Sequence, residues 1–153
     1  MSVLAIVLVS CAAGLVLFNL IYTVTQGIAR RARERAAAIL ARDGITAVEA
    51  TSVNLIGSST MRVQVRGVGV LALTSSTLEF RLGYGATALT IPLSTIQAVT
   101  VGKAFRIRGR YKRYARPWIV TVVWLDADGA EQQVGFALRA AAAWHAKIEA
   151  AIP

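Results

Sequence analysis

The stretch from Val3 to Val24, VLAIVLVSCAAGLVLFNLIYTV, holds no charged residue, and the first charge in the chain is Arg30. A helix of about 20 residues crosses roughly 30 Å of hydrocarbon, and a helix satisfies its own backbone there. Only Ser10, Asn19 and Thr23 are notably polar. The run therefore predicts a membrane-spanning helix over residues 1–25, with the rest of the chain held beside a lipid surface. A cleaved leader fits less well, because no Lys or Arg precedes the run and it continues past any plausible cut.

Leu8-Val9-Ser10-Cys11 resembles the lipobox of bacterial lipoproteins, but only about seven apolar residues precede Cys11. Cys11 is the only cysteine, so no disulfide framework exists. Ser10 and Gly14 stand four apart, as in small-residue packing faces between helices. Five arginines follow the run, Arg30, Arg31, Arg33, Arg35 and Arg42. Basic flanks stay on the cytoplasmic side, so the expectation is a bacterial inner-membrane protein, single-pass, N-terminus outside and domain inside.

Of 153 residues, about 110 remain beyond the span and its stalk, the size of one domain. Lys and Arg number 17 against 8 acidic residues, a formal charge of +9. Twelve of the 17 sit in two segments, the five arginines above and seven residues between Lys103 and Arg116. Clusters of this kind point to anionic partners: phospholipid headgroups, nucleic acid or an acidic protein face.

Residues 26–43 are rich in helix formers and read as a basic helical stalk that Asp43-Gly44 ends, Gly44 being suited to a left-handed position. From residue 44 to 153 the period changes to two. Met61, Val63 and Val65 alternate with polar residues, after a turn at Gly57-Ser58-Ser59-Thr60 and an earlier strand over 47–56. Leu78, Phe80 and Leu82 alternate with Glu79 and Arg81. Further strands are expected at 70–74, 88–91, 97–101, 119–125 and 131–136, with Pro92 interrupting and Asp128-Gly129 as a hairpin turn. Ala137, Ala141, Trp144, Ile148 and Ile152 predict a closing helix with one apolar face. The fold class is thus a transmembrane helix followed by a mainly-β domain, a small antiparallel barrel of about seven strands capped by a C-terminal helix.

Gly69-Val70-Leu71-Ala72-Leu73-Thr74 with Leu78-Glu79-Phe80 resembles the second hairpin of bacterial PH-like and GRAM domains. Ile91-Pro92-Leu93-Ser94-Thr95-Ile96-Gln97-Ala98-Val99 is similar to the element that follows it there. Phe136 and Trp144 match the last strand and the closing helix. The resemblance covers residues 45–152 and implies a PH-like barrel, often carried by bacterial membrane proteins, with a binding or scaffolding role and no catalysis. Phosphoinositide-binding members carry basic residues on the first hairpin, where this chain has only Arg62 nearby.

The basic material lies instead in KAFRIRGRYKRYARP, with Lys103, Arg106, Arg108, Arg110, Lys112, Arg113 and Arg116. If extended, it places Arg106, Arg108, Arg110 and Lys112 on one face and Phe105, Ile107 and Tyr111 on the other, with Gly109 between them, which looks like a hairpin arm with one cationic edge and one apolar-aromatic edge. Tyr111, Tyr114 and Trp118 would suit a headgroup zone. The expected partners are a protein or anionic phospholipid. Nucleic acid is the rival, since cations interleaved with aromatics suit phosphate tracking and stacking. No helix-turn-helix, zinc spacing or RNP1-like run supports it.

No catalytic residue, cofactor site or metal site is expected. His145, the only histidine, lies on the closing helix beside Trp144. Asp126 and Asp128 lack the later ligands of a calcium loop and read as turn residues. No nucleophile with a base and no phosphate-binding glycine loop is present.

Overall fold

A computed structural model describes residues 22–24, 26–27, 30–31, 34–61, 65–84 and 86–153; of Arg110 the backbone alone is described. The chain divides into two compact units, Met1–Arg31 and Ala32–Pro153. In the first unit, the described residues are helical and exposed.

The second unit is mainly β. Its strands are β1 (Glu49–Ser58), β2 (Gly67–Leu73), β3 (Thr77–Leu82) and β4 (Ala88–Pro92), then, after a 3-10 turn at Leu93–Thr95, β5 (Ile96–Gly102). There follow β6 (Ala104–Ile107), β7 (Arg110–Arg113), β8 (Ile119–Leu125) and β9 (Glu131–Ala137). Seven form one antiparallel sheet in the order β4-β3-β2-β1-β9-β8-β5, and β6 and β7 pair as a separate hairpin. The ends of the row, β4 and β5, meet at the corner made by the 3-10 turn and share no ladder. Pro92 has no N–H to donate there, so the expected barrel is a bent open row.

Alternation builds the main core. Leu78, Phe80 and Leu82 of β3 are buried with Leu55, Leu71, Val122, Val134 and Phe136. Phe80 and Phe136 tilt against each other at 5.4 Å between ring centres, a favourable aromatic geometry. The other face of β3 is buried as well. Glu79 is only 5 % exposed, and its carboxylate accepts from Thr77 Oγ1 at 3.0 Å, Arg81 Nη1 at 2.9 Å and Thr90 Oγ1 at 2.6 Å. Burial of that charge is tolerable because its lone pairs are filled.

The expected stalk behaves differently from a spacer. Its last turns, residues 34–42 (α1), lie on the outer face of β2, where Ala36 and Leu40 bury against Val70 and Ala72. This explains why β2 reads apolar on both faces. Gly44 ends α1 at φ +70°, with its N–H on Ala41 O at 3.1 Å and the Ile45 N–H on Leu40 O at 3.0 Å. Those two bonds and the Ile45–Leu40 contact form a Schellman stop.

The closing helix, α2 (Ala141–Ala151), starts four residues later than the apolar spacing suggested, because Ala137 ends β9 and Leu138 joins the core. Ala141, Trp144 and Ile148 form its buried face against β5 and β8. His145 Nε2 bonds Val99 O of β5 at 3.0 Å.

The membrane expectations need correction. Among the described residues, no helix is long and apolar enough to cross a membrane. The stretch 34–42 is about 14 Å long at 1.5 Å per residue. It carries Glu34, Arg35 and Arg42 and spends its apolar side on β2. The predicted span, except for Tyr22–Val24, lies outside the described residues. The transmembrane part of the fold class, integral membrane partnership and inner-membrane location are therefore set aside.

Candidate functional site

The basic segment 103–116 forms a hairpin, as expected, and a tight one. Ala104, Phe105, Arg106 and Ile107 pair with Arg113, Lys112, Tyr111 and Arg110 respectively. Only Arg108 and Gly109 form the loop, at φ +44° and +76°, which is the two-residue type I′ geometry. A non-glycine residue in that region costs roughly 1–2 kcal/mol. Arg108 is held there while its Nη1 donates to Met61 O at 3.1 Å. At the base, Tyr114 N–H donates to Lys103 O at 2.7 Å.

The turn overturns the expected sidedness of the segment. Side chains directly opposite in a ladder share a face. Arg106 and Tyr111 therefore stand together, with the guanidinium 5.6 Å from the ring centre, instead of on opposite sides. Lys112 shares the other face with Phe105, and its ammonium lies 5.4 Å from the centre of Tyr114. Extended-strand alternation holds within each arm but cannot be carried through a reversal.

What fixes the hairpin is a second, smaller core. Phe105 and Ile107 are buried with Ile56, Ile119 and Ala137, and Tyr114 packs beside them. Ile56 faces outward because β1 bulges there: its register with β9 shifts between Leu55 and Gly57. Phe105 lies directly on Gly135 of β9. A Cβ at that glycine would come within 2.8 Å of the ring. The missing side chain makes the seat for the aromatic. The hairpin is thus laid against the outer face of the sheet and held by apolar burial.

Its cations remain exposed: Lys103, Arg106, Arg108, Lys112, Arg113 and Arg116. No acidic residue occurs in the sequence between Glu79 and Asp126, so nothing local neutralises them. Tyr111 is exposed, whereas Tyr114 and Trp118 are half-buried and tilt against each other at 6.1 Å. The three aromatics expected to lie at one interface are therefore split. A cleft of about 290 Å³ runs beside the hairpin, lined by Asn54, Ile56, Arg66, Gly67, Lys112 and Tyr114 among others. Arg66 and Asn54 are site residues that sequence reasoning missed. Asn54 is on β1 and Arg66 lies just before β2, so no local spacing signals them.

Of the other predicted basic cluster, only part is described in this unit. Arg35 sits 4.8 Å from the centre of the Tyr84 ring, Arg30 and Arg31 belong to the first unit, and Arg33 lies outside the described residues. Asp126 accepts from the N–H groups of Asp128 and Ala130 at 3.0 and 2.9 Å and from Gln132 Nε2 at 2.6 Å. These bonds, Gln132 first, hold its carboxyl below the usual aspartate range. It is a turn residue of the β8–β9 hairpin. Among the described residues, no group of three or more His, Cys, Asp or Glu could hold a metal ion.

No protein-family profile and no curated protein matches the chain. Among solved structures, it is similar to the C-terminal domain of an unknown protein from Leishmania infantum. That likeness has 13 % identity and a TM-score of 0.47, covering 84 % of this chain and 99 % of that one. A likeness so distant carries no argument about function.

Proposed function

We propose that the Ala32–Pro153 unit is a non-catalytic binding module that takes an acidic protein surface on the β6–β7 hairpin. The observation that carries this reading is the seat of Phe105 on Gly135, which gives an acid-free cationic element a fixed position. A solvated basic loop needs no buried aromatic anchor. Pre-organised charges lose less freedom on binding and steer an oppositely charged partner.

A protein fits better than the rival ligands. Stacking of bases needs free aromatic faces. Here Tyr114 and Trp118 are half-buried against each other, and Tyr111 carries Arg106. The open seven-strand row, with Trp144 buried under a closing helix, is only loosely compatible with the PH-like resemblance.

The test is fluorescence anisotropy with a glutamate-rich peptide, single-stranded DNA and phosphatidylglycerol vesicles in parallel. Saturable peptide binding that falls about tenfold in R106Q/R113Q is expected, some 1.4 kcal/mol. DNA or vesicle binding that exceeds peptide binding and shows the same loss would contradict the proposal.

A further inference from the structure

The cleft beside the hairpin has an electrostatic feature that a generally basic surface lacks. Its two charged lining residues, Arg66 just before β2 and Lys112 on β7, are both cations and both exposed. Among the described residues, neither Arg66 nor Lys112 has an acidic partner, and the Lys112 ammonium lies over the face of Tyr114. Asn54, Leu55 and Ile56 of β1 also line it, and the last two make a buried apolar part of the lining. Two like charges brought into one concave site from distant parts of the chain repel each other unless an anion lies between them.

We infer that this cleft is a subsite for a phosphoryl group carried on a side chain of the protein partner. The inference rests on the acidic-partner reading and deepens it. A phosphate monoester carries about −1.5 to −2 charges and three acceptor oxygens. Those match two cations and the donors of a guanidinium fork, an ammonium and an amide. A carboxylate offers one charge and two oxygens, and it would leave one cation unbalanced. At about 290 Å³ the cleft has room for one such group with water, below the usual range for a whole small-molecule site. The apolar part of the lining lowers the local dielectric and strengthens the charge-assisted bonds.

The experiment follows amide shifts of the isotope-labelled full chain on titration with N-acetyl-O-phosphoserine amide, and separately with N-acetylglutamate amide. Saturable shifts at Asn54, Gly67 and Lys112 with the phosphoserine probe are expected, weakened at least fivefold in R66Q and in K112Q. R66K and K112R retain the response. Equal affinity for the glutamate probe, or an unchanged response in R66Q and K112Q, overturns the subsite. A response to phosphatidic acid vesicles with none to phosphoserine overturns it as well. The glutamate-rich peptide is run alongside. Hairpin-dependent peptide binding without a phosphoserine response rejects the subsite alone. Loss of that peptide binding rejects the parent reading.

Discussion

Gly135 shows how one absent side chain can set a surface. Phe105 occupies the space a Cβ would take, so G135A must move either the ring or strand β9. Overpacking of this kind costs about 1–3 kcal/mol. Urea unfolding should show that loss in G135A, and most of it should vanish when F105A is added. An additive double mutant would mean that the ring does not rest on the glycine. Asp126 illustrates a different residue-scale effect, one of charge. Its folded pKa is depressed, chiefly by Gln132. Its contribution to stability is therefore complete above the unfolded value of about 3.9 and disappears as pH falls through the lower folded value. Wild type and D126N should differ at neutral pH and converge in acid. A gap that grows as the pH is lowered would contradict this sign.

At the scale of elements, α2 is held chiefly by Trp144, which is 3 % exposed within the main core. W144A should cost about 3–5 kcal/mol, read from the midpoint of urea unfolding. A loss below about 1 kcal/mol would show that the helix docks by other means. Much of this level was legible in the chain. Alternation at Leu78, Phe80 and Leu82 marks β3, Asp128-Gly129 marks the β8–β9 turn, and the Trp144–Ile148 spacing marks the buried side of α2. The errors also have physical causes. Ala137 keeps the helical period although it is the last residue of β9, since alanine is neutral to either context. The hairpin itself is expected, but Arg108-Gly109 hides where it reverses and hence which side chains share a face, because arginine is not the Asn or Asp that usually announces a type I′ turn. The helical propensity of 34–42 was visible, but its docking onto Val70 and Ala72 is a long-range fact. The apolar run near the N-terminus invited a membrane reading that no described helix supports.

Over the whole Ala32–Pro153 unit, charge and burial are organised around the hairpin. A single sheet supplies a main core inside, and its outer face supports two additions: α1 over β2, and the hairpin over β9 with β1 and β8. Acidic groups at Asp43 and Glu79 pair with Arg81, away from the hairpin, whose cations have no acidic neighbour in sequence. Position, more than total charge, is then what a partner would read. The most direct test compares two variants for binding the glutamate-rich peptide: R106Q/R113Q, which removes outward charge, and G135V, which unseats the hairpin while keeping every cation. The account predicts that both bind at least about tenfold more weakly, a loss of about 1.4 kcal/mol. Wild-type affinity in a folded G135V protein, with Phe105 shown by solvent exposure to be displaced, would contradict it.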